Sequence, residues 1–182
     1  MKSIDKVMFA FALGSVTLFV GGTAFAQKSG PSSSDDSTFV KKAASGGMAE
    51  VKLGQLAQEK GSSSAVKDFG QRMQNDHSKA NDQLKDVASK DNIALPSDLS
   101  KTDQATYNRL AKLSGAEFDR AYARDMVNDH EKDIAAFRNE TRMGKNPDVQ
   151  NFASQTLPTL EDHLKQAKAM EKSVNANETS SK

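Results

Sequence analysis

Every histidine in this chain follows an aspartate. RMQNDHSK at 72–79 and DMVNDHEK at 125–132 both read Met-x-Asn-Asp-His-x-Lys, 53 residues apart, and LEDHLK at 160–165 holds the third Asp-His pair. Neutral imidazole is a common ligand for zinc, copper and iron. It is equally suited to a buried hydrogen bond with a carboxylate. His77, His130 and His163 are therefore candidate metal ligands or parts of a His–Asp network, and the residue types leave both open. Glu50 adds a carboxylate. Met73 and Met126 stand four residues before His77 and His130, and thioether with imidazole suits copper. Methionine is also ordinary helix filler, and Met48, Met143 and Met170 show how freely this chain uses it. The candidate metal set is Glu50, His77, His130 and His163, supported by Asp76, Asp129, Met73 and Met126.

The elements that must position these residues are helices. Phe39, Val40, Ala43, Ala44, Met48, Val51 and Leu56 predict one at about 38–60, and Phe69, Met73, Ala80, Leu84 and Val87 a second at about 64–90. Gly61 and Ser62–Ser64 break the two, and a serine there can cap the second. Pro96 marks a loop at 92–100, and a short helix is expected at about 101–113. Ser114 with Glu117 reads as a capping box opening a third long helix at about 115–142. Asn146-Pro147-Asp148 opens a fourth at about 147–172: Asn as cap, Pro at the first helical position, Asp at the positive helix end. Pro158 inside it frees the carbonyl of Ser154 and predicts a kink about one turn before His163. No strand pattern competes.

The first and last pairs of long helices have short connections, and the middle connection takes some 25 residues. This predicts an all-α, ferritin-like up-down four-helix bundle with one long crossover carrying a short extra helix. Glu50, His77, His130 and His163 each fall near the middle of a different helix, so antiparallel packing brings them to one central layer. Three- and four-residue steps to Met73, Met126 and Leu160 turn the histidines inward. Each preceding aspartate is rotated by about 100°. It therefore reaches a neighbouring helix or water rather than its own histidine. The Met-x-Asn-Asp-His-x-Lys repeat joins the second helix to the third, which reflects similar local demands rather than duplication of a hairpin.

Lys2, Lys6, a short apolar run and Ala24-Phe25-Ala26 read as a signal peptide over 1–26, with export to the periplasm or cell envelope. The polar stretch 27–37 reads as a flexible linker and 173–182 as a disordered tail. The bundle is expected over 38–172, with no transmembrane segment once the signal is removed. Without cysteine there are no disulfides, no lipid anchor at the cleavage site and no thiolate metal chemistry. Over 27–182 the basic and acidic residues balance at 23 each, which argues against nucleic acid as a partner. No nucleophile–base pair, phosphate-binding glycine loop or zincin motif points to an enzyme.

In combination, FVKKAASGGMAEVKLGQLA, VKDFGQRMQNDH, LSGAEFDRAYARDMVNDHEKDIAAF and FASQTLPTLEDHLKQA resemble the DUF4142 family of exported bacterial proteins. The resemblance covers about 38–172 and implies a ferritin-like bundle in the envelope, with no assigned activity. Di-iron sites of the wider ferritin-like group take a Glu from each of two helices and Glu-x-x-His from the other two. Glu50 fits. Gln74 and Leu160 stand where the Glu of those motifs belongs, and His130 has Asp125, Asp129 and Asp133 nearby. Bridging carboxylates are mostly missing, so a di-iron centre is not expected. The expectation is an exported bundle protein, more a non-enzyme than an enzyme. Its central His/Glu/Asp cluster binds a single transition-metal ion, for metal sequestration or envelope stress tolerance. The alternative is a structural or protein-interaction module whose histidines only order the core.

Overall fold

The computed structural model describes residues 34–179. The expected leader, 1–26, lies outside the described residues. The elements are α1 (Ser34–Lys60), α2 (Ser64–Lys90), α3 (Lys101–Leu110), α4 (Gly115–Met143) and α5 (Pro147–Thr179). Among the described residues there is no strand, and no helix is long and apolar enough to cross a membrane.

α1 packs along α2 and α4 along α5, because three-residue connections fold each pair back on itself. The two hairpins then meet through α2 with α5 and α1 with α4. α3 lies in the long connection and packs on α1 and α4. Ser63 caps α2 by accepting the amide of Val66, and Ser100 caps α3 by accepting that of Asp103. Asn146 caps α5, its Oδ1 accepting the amides of Asp148 and Val149.

Four expectations at helix ends are corrected. Ser114 is the cap residue of α4, but its side chain makes no capping bond; the chain turns at Gly115 with φ +58° instead. α1 begins at Ser34, inside the expected linker, because Asp35 and Asp36 suit the positive end of a helix and Asp36 is buried. α5 continues to Thr179, into the segment expected to be a disordered tail, and Val174 packs into the core. The short helix also ends earlier than expected, at Leu110.

The apolar core has two parts. One gathers Leu53, Phe69, Met73, Phe118, Tyr122, Met126 and Ala167. The other gathers Val40, Leu84, Ile134, Phe137, Phe152 and Leu160. Along each long helix the boundary between them falls at a buried polar residue: Glu50 on α1, His77 on α2, His130 on α4 and His163 on α5. A polar layer thus crosses the middle of an apolar interior, and that layer is the place to look for function.

Candidate metal centre

His77, His130 and His163 come from α2, α4 and α5, and each is buried. Their ring centroids lie 5.9, 5.5 and 5.4 Å apart. One nitrogen from each approaches within 4.8 Å of the other two. Three atoms so spaced lie no more than about 2.8 Å from a common centre, and a metal–imidazole bond is about 2.0–2.1 Å. Each ring needs to move inward by less than about 1 Å to hold one ion.

Hydrogen bonds fix which nitrogen two of the rings offer. His130 Nδ1 donates to the carbonyl of Met126 at 2.9 Å, so its Nε2 carries the lone pair. His163 Nε2 donates to Asp76 Oδ2 at 2.9 Å, so its Nδ1 carries the lone pair. His130 Nε2, His163 Nδ1 and His77 Nε2 are all buried without a hydrogen-bond partner. Each such atom costs about 1–3 kcal/mol if left unmet, and three on neighbouring rings point to something that satisfies them together. The outer bonds are those a metal-binding imidazole uses to set its tautomer and aim.

Burial holds the rings neutral, the form that binds metal. It lowers the pKa of His77 to about 3 and that of His130 to about 4, and the neighbouring imidazoles add to both shifts. His163 is lowered as well, by burial first, against the opposing pull of Asp76. Phe69 closes one side, its ring edge-on to His130 and His163 at 6.3 and 6.4 Å.

The remaining candidates occupy different places. Glu50 is fully buried but outside the group of converging nitrogens. Burial raises its pKa well above the usual carboxyl range, and Asp129 and Asp133 on α4 raise it further. Neither Glu50 oxygen has a partner of good hydrogen-bond geometry, although the Asp129 carboxyl faces it. Met73 and Met126 are core residues, and Met126 serves the centre through its carbonyl.

The aspartates all reach across to other helices. Asp76 on α2 bonds His163 on α5, Asp129 on α4 faces Glu50 on α1, and Asp162 on α5 pairs with Arg72 on α2 at 2.8 Å. This is the meaning of the repeated Asp-His: the histidine points to the centre and the aspartate, one step round, ties that helix to the next. Sequence reasoning missed Arg72, which bonds Asp76 at 3.1 Å as well as Asp162. Its i, i+4 spacing to Asp76 was a readable signal. It also missed Tyr122, whose buried, unpartnered hydroxyl stands close enough to Glu50 to feel its charge. No sequence signal marks that contact.

These features define a helical bundle with three imidazoles converging in its core. The chain belongs to the family described as Domain of unknown function (DUF4142), which matches residues 22–170. Among solved structures, the crystal structure of a DUF305 fragment from Deinococcus radiodurans is similar, with a TM-score of 0.68 over 81% of this chain and 99% of that chain, at 15% identity. At that identity the likeness concerns the fold. No curated protein matches.

Proposed function

We propose that the protein binds one transition-metal ion on His77 Nε2, His130 Nε2 and His163 Nδ1, and that its role in the cell envelope is to sequester that ion. The observation that carries this reading is the convergence of three buried imidazoles from three helices, each of which has a ring nitrogen without a hydrogen-bond partner. Imidazole donors without thiolate favour zinc, copper(II) or another late first-row ion. The carboxylates that would bridge two irons are absent from the triad, so the reading is for a single ion. Asp76 and the Met126 carbonyl hold two of the rings in their binding tautomer, and the apolar clusters on either side keep water out. Such a site suits retention better than turnover.

Export after residue 26 and a ferritin-like connectivity belong to the same proposal. The basic start, apolar run and Ala-Phe-Ala support the first. The two hairpins and the long connection holding α3 support the second. The competing reading, a purely structural His–Asp network, is favoured by the two hydrogen bonds already made, but it leaves three buried ring nitrogens unmet.

The test is thermal melting of chelator-stripped protein 27–182 with Zn²⁺, Cu²⁺, Co²⁺ or Mn²⁺. An ion at a hundred times its Kd stabilises the native state by about 2.7 kcal/mol. The expected result is a rise in Tm that saturates at one ion per chain and vanishes in His77→Ala, His130→Ala and His163→Ala. An unmoved wild-type Tm with every ion sinks the metal reading.

A further inference from the structure

The two hairpins meet along a seam between α2 and α5. Near the imidazoles the seam is tied by His163 with Asp76 and by Arg72 with Asp162. Farther along, Lys90 on α2 pairs with Asp148 on α5 at 3.4 Å. Between these ties Ala80 and Gln83 face Gln155, Thr156 and Thr159 across a bay of about 400 Å³. Gln155 and Thr156 donate within their own helix, to Asn151 and to the Phe152 carbonyl, at 3.2 and 2.8 Å. Among the described residues, no hydrogen bond or ion pair crosses the seam from these five side chains.

Behind the bay lies a chamber of about 30 Å³ whose wall includes His77, Asn81 and Asp133. Ala80 and Thr156 line both spaces and so stand between them. One layer of side chains therefore separates the bay from a space that touches one of the three imidazoles. The turn that carries Thr156 is also a weak point of α5. Pro158 has no amide to give the Ser154 carbonyl, so residues 154–158 are held by one bond fewer than a regular turn. Pro158 and Ser154 are exposed, and the helix is loosened where it borders the bay.

We propose that this untied stretch of the seam is a gate: the Pro158 turn of α5, with Thr156, moves off Ala80 of α2, and a divalent transition-metal ion passes from the bay through the chamber to the imidazoles. The proposal rests on the metal-binding reading. The chamber has room for about one or two waters, so an ion leaves most of its hydration shell in the bay. Gln83, Gln155 and Thr159 offer oxygen atoms there, and Asn81 and Asp133 offer them in the chamber. Arg72, at the edge of the bay, is neutralised by Asp76 and Asp162. Lys79 is exposed to water, where its charge is screened.

The test is stopped-flow uptake of Co²⁺ by chelator-stripped protein, followed by its visible absorption, in wild type, Pro158→Ala, Ala80→Leu and Asp103→Asn. Pro158→Ala restores the missing bond on an exposed face and should fold at least as well as wild type. Opening then breaks one more hydrogen bond, so uptake and release are both expected to slow by about two- to tenfold. The Kd and the spectrum of the bound ion should be little changed. Ala80→Leu fills the partition and should slow both steps as well. Asp103→Asn, in the separate bay between α1, α3 and α4, should load at the wild-type rate. A Pro158→Ala that loads as fast as wild type overturns the gate and leaves the metal site standing, as does slow loading confined to Asp103→Asn. An altered bound spectrum in Pro158→Ala also overturns the gate, because the substitution would then act on the centre itself. A wild type that takes up no Co²⁺ overturns both readings.

Discussion

Asp76 acts in two directions: it accepts the His163 proton donor at 2.9 Å and is itself held by Arg72 at 3.1 Å. Removing such an outer partner typically costs a metal site 10–100-fold in affinity. Asp76→Asn is therefore expected to weaken Zn²⁺ binding by about that factor. Asp162→Asn loses an Arg72 contact but touches no imidazole, and should change the Kd by less than about threefold; competition with a chromophoric chelator measures both. Asp133 yields a pH prediction. Burial first, then Asp129, raises its pKa to about 7. The native state thus keeps a proton that the unfolded chain releases near pH 4. The stability this confers is full below that pH and is lost as pH rises through about 7. Asp133→Asn cannot ionise, so it should gain on wild type between pH 5 and pH 8 by roughly 1 kcal/mol or more, read from urea melts. His77 and His130 act the other way. Their pKa values lie below 6.5, so stability falls as pH drops from about 6.5 toward 4.

Between elements, α1 and α2 approach closely at Gly54 and Gly70. A Cβ on Gly54 would lie 2.4 Å from the carbonyl oxygen of Gly70, and one on Gly70 would lie 2.7 Å from that of Gly54. The two helices run almost backbone to backbone there, and neither backbone can yield. Gly54→Ala and Gly70→Ala are each expected to lower stability by about 1–3 kcal/mol. Gly46, on the same helix, has open space around it. Gly46→Ala should be neutral or stabilising by up to about 1 kcal/mol through helix propensity. Thermal melts of the three variants check the contrast. Equal behaviour would mean that the hairpin spreads to accommodate a methyl. Pro158 is accommodated differently. α5 runs on through it, with Pro158 and Ser154 both on the exposed side of the helix.

Across the molecule, each hairpin holds the other's turn. Asp119 on α4 is buried and accepts the Ser62 amide, the Ser62 hydroxyl and the Ser63 amide at 2.9, 2.5 and 2.9 Å, pinning the α1–α2 turn. Asp36 on α1 is buried and accepts the amides of Lys145 and Asn146 at 3.0 and 3.2 Å, pinning the α4–α5 turn. These latches sit at opposite ends of the bundle. Hydrogen bonds to a charged group contribute about 1.5–3 kcal/mol each. Asp119→Ala and Asp36→Ala should each cost about 2–3 kcal/mol, and the double variant should cost their sum, because the sites share no partner. Urea unfolding tests this, and strong non-additivity would mean that the hairpins separate once either latch is lost.

The sequence by itself determined the helices and the level of the polar layer. Apolar steps of three and four put His77, His130 and His163 on inward faces, and the short turns at 61–63 and 144–146 required hairpins. Periodicity along one helix also showed that each aspartate must look away from its own histidine. Only the tertiary structure decided where each aspartate looked, because rotation about a helix axis names a direction and not a partner. It placed Asp76 on His163 and Asp162 on Arg72, and it set Glu50 against Asp129 rather than among the imidazoles. The helix ends at Ser34 and Thr179 followed the same logic. Local composition there reads as polar and loose, and contacts distant in sequence, Asp36 with 145–146 and Val174 with the core, made those segments helical.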